Sequence, residues 1–310
     1  MLLRGVAIWV ITWSAAMARA PRAPWPPRYN LVADARWLLS TPVARFDASA
    51  LVRLPDDSWL VANDKQAPLF RCTLSTNQTG SLAPAPEWFP LDRLRAASGD
   101  AAFQPDLEGL ARDAQGRLYL CTEKQRWIFR ATPGNGAVER LNIDWTPVRR
   151  WLSSSDLNAS WEGIAIGGNR MYLANERSTG RIIVVDLVSL RVTGDFHARP
   201  VGSTAMDVHY SDLCWHGGSL WVLCRANQVV LRVDPQTHET LAQFNYAPIE
   251  RDPANAYAIP LGIGMAEGLW VDDSHLWVLI DNNGFPRRAD SKDLRPLLFR
   301  CPRPDVAPVP

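Results

Sequence analysis

One 25-residue pattern occurs twice near the start of this chain at a constant offset of 59 and without a gap. Residues 47–71 read DASALVRLPDDSWLVANDKQAPLFR and residues 106–130 read DLEGLARDAQGRLYLCTEKQRWIFR, so that Ser49 aligns with Glu108, Asp64 with Glu123 and Phe70 with Phe129. Three further copies follow at 161–186 (WEGIAIGGNRMYLANERSTGRIIVVD), 210–234 (YSDLCWHGGSLWVLCRANQVVLRVD) and 266–284 (AEGLWVDDSHLWVLIDNNG). After each Glu-Gly, Ser-Ala or Ser-Asp comes an aliphatic residue, and a polar landmark lies twelve or thirteen residues beyond it: Leu51 to Asp64, Leu110 to Glu123, Ile164 to Glu176, Leu213 to Arg225, Leu269 to Asp281. A repeat of this kind sets the architecture, and the architecture sets where a site can be.

Within each copy the middle segment alternates, as in RLYLCTE and HLWVLID, which is strand chemistry. Turn residues precede it each time: Asp56-Asp57, Gln115-Gly116, Gly167-Gly168-Asn169, Gly217-Gly218 and Asp272-Asp273. These predict hairpins. A third strand follows (PLFRC, WIFRA, RIIVVD, VVLRVD, PLLFRC), and a fourth fits the spacers EWFPLDRL, AVERLNIDW, RVTGDFH and ETLAQFNYA. The expected fold class is all-β, a five-bladed β-propeller of four-stranded blades. The last copy ends at Cys301 with no room for an outer strand, and an open ring would leave sheet edges unpaired. Residues 35–46, ARWLLSTPVARF, are expected to supply the missing strand; a sixth blade hidden in the spacers is the alternative.

The domain expected at 35–302 is preceded by a leader and a tether and followed by a tail at 303–310. Residues 1–20, MLLRGVAIWVITWSAAMARA, place a basic Arg4, an apolar run and small residues at Ala16, Ala18 and Ala20 in the order of a signal peptide, too short for a stable membrane span. Cleavage after Ala18 or Ala20 would deliver the protein to the periplasm or the medium. Residues 21–34 read as a proline-rich tether. An odd count of five cysteines cannot pair fully, and no disulfide framework is expected. The formal net charge of +1 on 310 residues gives no reason to invoke nucleic acid. The chain is expected to act as a monomer.

The ordered set of motifs resembles the SdiA-regulated family of exported bacterial propellers, itself similar to phytase-like and esterase-like propellers. The set is a first repeat lacking the acid, then DLEGL, then WEGIA with NER, then YSDL with VLCRANQ, then AEGL. The resemblance spans roughly residues 45–300 and implies the propeller fold, export and a bound divalent cation, without a settled reaction. The sequence departs from the family at Arg225, where such repeats carry an acidic or neutral polar residue more often.

In a blade the first strand lines the channel and the second runs antiparallel beside it, so the start of one meets the end of the other at the same rim. Glu108, Glu162 and Glu267 stand at the starts, and Asp64, Glu123, Glu176 and Asp281 at the ends. Seven carboxylates then converge from four of the five blades, an arrangement that raises their pKa values or demands a counter-ion. Oxygen-only ligands arriving from separate blades suit Ca²⁺, with Mg²⁺ as the alternative. The structural reading of each Glu is a latch accepting backbone N–H bonds from the next blade. Lys65, Lys124 and Arg177 follow the second-strand acids, and strand alternation turns them away from those acids. Arg225, in place of the acid in the fourth copy, either neutralises part of the ring or grips an anionic substrate group.

His209 is the single histidine close before an inner strand and is the candidate general base, with an ordinary surface residue as its alternative. No G-x-S-x-G, H-E-x-x-H or Walker loop is present. Two function classes remain. One is a metal-dependent hydrolase of phosphoesters, esters or lactones whose pocket is shaped by the loops at 95–107, 152–160, 200–210 and 250–266. The other is a non-catalytic exported binding module with a structural cation. In either case the partner is a small molecule or anionic ligand at the channel mouth.

Overall fold

The computed structural model describes residues 25–134, 136–176, 180–203, 208–260 and 265–306. The leader expected at 1–20 lies outside them. Two strands open the described chain, β1 (Arg28–Asn30) and β2 (Ala35–Ser40). The first repeat supplies β3 (Ala48–Arg53), β4 (Trp59–Asn63), β5 (Gln66–Leu74) and β6 (Thr79–Ala85), followed by the helix α1 (Leu91–Ser98). The second gives β7 (Leu107–Arg112), β8 (Leu118–Thr122), β9 (Ile128–Ala131) and β10 (Val138–Arg140). The third gives β11 (Trp161–Gly167), β12 (Arg170–Asn175), β13 (Arg181–Asp186) and β14 (Arg191–Phe196). The fourth gives β15 (Tyr210–His216), β16 (Ser219–Cys224), β17 (Val229–Val233) and β18 (Thr240–Asn245). The last gives β19 (Ala266–Val271), β20 (His275–Ile280) and β21 (Leu297–Pro302).

Hydrogen bonding joins these strands into four sheets. Strands β7 to β10 and β11 to β14 form two sheets in chain order, and β15 to β18 form a third that β1 extends in parallel beyond β18. The fourth is eight-stranded, in the order β19-β20-β21-β2-β6-β5-β4-β3. In it β2 pairs antiparallel with β21, Ala35 opposite Arg300 and Leu38 opposite Leu297, and in parallel with β6, Leu38 opposite Thr79. The N-terminal strand thus completes the last repeat and also ties it to the first.

The first strands touch in a cycle: β3 meets β7, β7 meets β11, β11 meets β15, β15 meets β19, and β19 meets β3. Apolar clusters fill the spaces between neighbours, for example Leu60, Leu110 and Phe129 between the first two repeats. Tyr119, Ile164 and Leu173 do the same between the second and third. Because sheets pack against both faces of the inner strands, β4, β8 and β16 are buried at every residue, whereas outer strand β18 alternates. Trp59, Trp221 and Trp277 are buried in these clusters. All five cysteines are buried free thiols, with Cys214 opposite Trp221.

Two expectations need correction. Residues 87–94 are not a strand: Pro90 (φ −64°, ψ 148°) caps α1, whose Leu94 is buried, and Gly99 (φ 73°) ends it in the left-handed region. The outer strand of the first repeat is instead β6. The tether is not free over Arg28–Asn30, which pair with β18, and Leu31 is buried. In the tail, Arg303 is buried, and both it and Arg232 bind Asp305.

Candidate metal centre

Each first strand carries a register irregularity at the same place: Ala48/Ala50, Leu107/Leu110, Trp161/Gly163, Tyr210/Asp212 and Ala266/Gly268. A bulge takes a residue out of the ladder and re-aims its side chain. Ser49, Glu108, Glu162, Ser211 and Glu267 occupy these bulges. The Gly after Glu108 is required by close approach, since a Cβ on Gly109 would lie 2.8 Å from the Ile164 nitrogen of the next first strand. One backbone hydrogen bond repeats in all five units, from Asp64 to Asp47 (2.9 Å), Glu123 to Asp106 (3.3 Å), Glu176 to Ser160 (2.9 Å), Arg225 to His209 (3.0 Å) and Asp281 to Met265 (2.8 Å), the first-named residue donating. This bond fixes the end of each second strand beside the start of its first strand, at one rim.

All seven carboxylates read from the repeat, Asp64, Glu108, Glu123, Glu162, Glu176, Glu267 and Asp281, line one cavity of ≈ 240 Å³. Asp47 and Asp106 join them, with Arg45, Lys65, Lys124 and Arg225 as the cations. Carboxylate oxygens of Asp64, Asp106 and Glu108 come within 4.8 Å of one another, as do those of Glu123, Glu162 and Glu176, and either group has the geometry to hold a metal ion. The donors fit such an ion: Asp64 Oδ1 and Glu123 Oε1 are buried acceptors with no hydrogen-bond partner. Among the described residues no backbone N–H reaches the carboxylates of Glu108, Glu162 or Glu267, so no hydrogen-bonded latch is formed there. Latches occur elsewhere. Asp281 accepts from the Ala48 N–H (3.0 Å) and buried Asp212 from the Leu269 N–H (2.7 Å) of the adjoining strand.

Burial and mutual repulsion disfavour charge on these acids. Burial raises Glu123 and Glu267 to about 7. It raises Glu108, Glu162 and Asp281 well above the carboxylate range, reinforced by Glu162 beside Glu108, Glu176 beside Glu162, and Glu267 beside Asp281. The cations offset part of this. Arg225 binds Glu176 through Nη2 and Glu267 through Nη1. Burial works against its charge, but Glu267, Glu162 and Glu176 outweigh that and hold it firmly protonated.

Lys65 contacts Asp64 and Lys124 contacts Asp106 at 2.8 Å. Lys65 departs from the alternation argument because it lies just past the end of β4, where alternation has ceased, whereas Lys124 pairs with Asp106 and not with the Glu123 that it follows. Arg177 lies outside the described residues. His209 does not line the cavity; its Nδ1 stands 3.5 Å from Glu176 Oε1. Of the loops expected to shape the pocket, Asp106 and Asn158 reach it among the described residues. Asp47 and Asp106 were missed although both repeat copies begin with Asp. In the units without Glu, Ser49 and Ser211 donate to the Leu107 and Ala266 carbonyls of the next first strand, at 2.5 and 2.7 Å.

A cyclic all-β chain with a carboxylate-lined channel mouth defines a propeller-type protein, and comparison with solved structures agrees. Glutaminyl cyclase from Myxococcus xanthus superposes with a TM-score of 0.58 at 15% identity, over 89% of this chain and 97% of that one. Virginiamycin B lyase from Staphylococcus aureus gives 0.40 at 11% identity, over 83% and 67%. A luciferin-regenerating enzyme gives 0.43 at 11% identity, over 84% and 78%. At these identities the first likeness is one of fold. The chain belongs to the family described as Phytase-like: Esterase-like activity of phytase, whose sequence profile matches residues 42–284. No curated protein sequence matches the chain. Among the described residues no helix is long and apolar enough to cross a membrane.

Proposed function

We propose that this protein is an exported, metal-dependent hydrolase of phosphoesters or related esters, built as five four-stranded blades with the carboxylate cavity as its active site. The blade count rests on the five-membered cycle of first strands, with the eight-stranded sheet dividing at the parallel β2–β6 seam. Export rests on the order of charge, apolar and small residues at 1–20. The observation that carries the activity is the convergence of nine carboxylates and four cations on one small cavity, in a chain of a phytase-like, esterase-like family.

Asp64, Asp106 and Glu108, or Glu123, Glu162 and Glu176, would hold the ion, and the all-oxygen donor set fits Ca²⁺ or Mg²⁺. Such an ion would polarise a phosphoryl or carbonyl oxygen. Lys65, Lys124 and Arg45 line the same cavity and orient an anionic substrate group. Arg225 acts as a fixed counter-ion, because both its terminal nitrogens are engaged by Glu176 and Glu267. His209 orients Glu176 and takes no proton from substrate directly.

The test is turnover of p-nitrophenyl phosphate, p-nitrophenyl acetate and a simple lactone by the purified protein, with Ca²⁺ or Mg²⁺ and after chelation. Metal-dependent turnover that Glu162→Gln abolishes supports the assignment. Calorimetric Ca²⁺ binding without turnover of any substrate leaves a binding module with a structural cation. Absence of metal binding overturns the site.

A further inference from the structure

A second cavity, of ≈ 560 Å³, lies at the opposite end of the first strands, beside the β7–β8 and β11–β12 turns. Four residues beyond each bulged Glu or Ser, about 13 Å along an extended strand, stand Arg53, Arg112, Ile166, Trp215 and Val271. The last four line this cavity together with Trp270. Its volume falls in the range of small-molecule sites, roughly 300 to 1,000 Å³.

The walls combine a fixed aromatic surface with one unengaged cation. The Trp215 ring lies against Gly167, where a Cβ would come within 2.4 Å of it, and stacks on Tyr172 at 5.6 Å and 10°. Charge is unbalanced. Arg117 is held by buried Asp113 at 2.6 Å and Arg130 by Glu139 at 2.7 Å. The side chain of half-buried Arg112 has no ion pair or hydrogen bond among the described residues.

We propose that this second cavity binds small aromatic carboxylates, the ring against Trp215 and the carboxylate on Arg112. One unengaged guanidinium calls for a singly charged planar anion, which its fork can grip bidentately. The flat face of Trp215 selects an aromatic body. The site is independent of the carboxylate cavity, from which the length of the strand separates it.

Isothermal titration of the full chain with 2-naphthoate tests the proposal, beside the uncharged 2-naphthalenemethanol. The expected result is 1:1 binding of 2-naphthoate, with the same Kd in Ca²⁺ and in chelator and in Glu162→Gln. Binding weakens at least about tenfold for the uncharged analogue and for Arg112→Gln, and also weakens in Trp215→Leu. No 2-naphthoate binding, equal affinity for the uncharged analogue, or displacement by Ca²⁺ overturns it. If Arg112→Gln fails to fold, the comparison of charged and uncharged ligands on the unmutated protein decides.

Discussion

A Cβ on Gly163 would sit 2.6 Å from the Asp212 Cα and 2.8 Å from the Leu213 nitrogen of the neighbouring first strand. Backbone atoms cannot turn aside as a flexible side chain can, so the Gly of the Glu-Gly motif is a contact between units, while the Glu beside it faces the cavity. Gly163→Ala should therefore destabilise the fold by about 1 to 3 kcal/mol through overpacking. Denaturant unfolding measures this, and an unchanged midpoint and slope would show that the first strands are not in such close contact.

Arg225 carries the next expectation. Replacing it with Met leaves Glu176 and Glu267 buried without their cation, and breaking a buried pair in this way costs about 3 to 5 kcal/mol. The loss should appear in chelator by chemical denaturation and shrink when Ca²⁺ is added. A variant as stable as the parent in chelator, with only its substrate KM raised, would assign Arg225 to substrate binding.

Glu162→Gln should raise the melting temperature in chelator, because it removes a charge that burial and Glu176 disfavour. It should also reduce the rise that Ca²⁺ produces. At a Ca²⁺ concentration of about 100 times Kd the parent gains about 2.7 kcal/mol, or roughly 5 °C for a domain of about 270 residues. Melting curves of parent and variant with and without Ca²⁺ check both parts. Glu139→Gln, outside the cavity, is the control.

The pH dependence of the metal-free protein has a definite sign. Glu123 and Glu267 titrate near 7 when folded against an ordinary value of 4.5, so between these values the folded state binds more protons than the unfolded one. Stability is then fullest below about 4.5 and falls as pH rises through about 7. Unfolding free energies measured across this window in chelator should decline, and saturating Ca²⁺ should flatten or reverse the slope. A metal-free protein that gains stability over that window would contradict the crowding of these acids.

The repeat and its all-β character were legible from local pattern because strand alternation and turn chemistry are short-range properties. Equivalent places in the repeat, the Glu before Gly and the acid twelve or thirteen residues beyond the following aliphatic residue, carried Asp64, Glu108, Glu123, Glu162, Glu176, Glu267 and Asp281 together, since equivalent positions in a repeat fold fall at equivalent points in space. What lies outside the strands was not legible by that rule: α1 replaced an expected strand once Pro90 and Gly99 bounded it, and Lys65 turned toward Asp64, from which alternation pointed it away. Only the tertiary structure brought Asp47 and Asp106 into the cavity, closed Arg225 onto Glu176 and Glu267, and gathered Arg112, Trp215 and Trp270 at the other end. Those groups meet across separate units, where contact depends on bulges, turns and the packing of neighbouring sheets. Periodicity along a single strand contains none of that information.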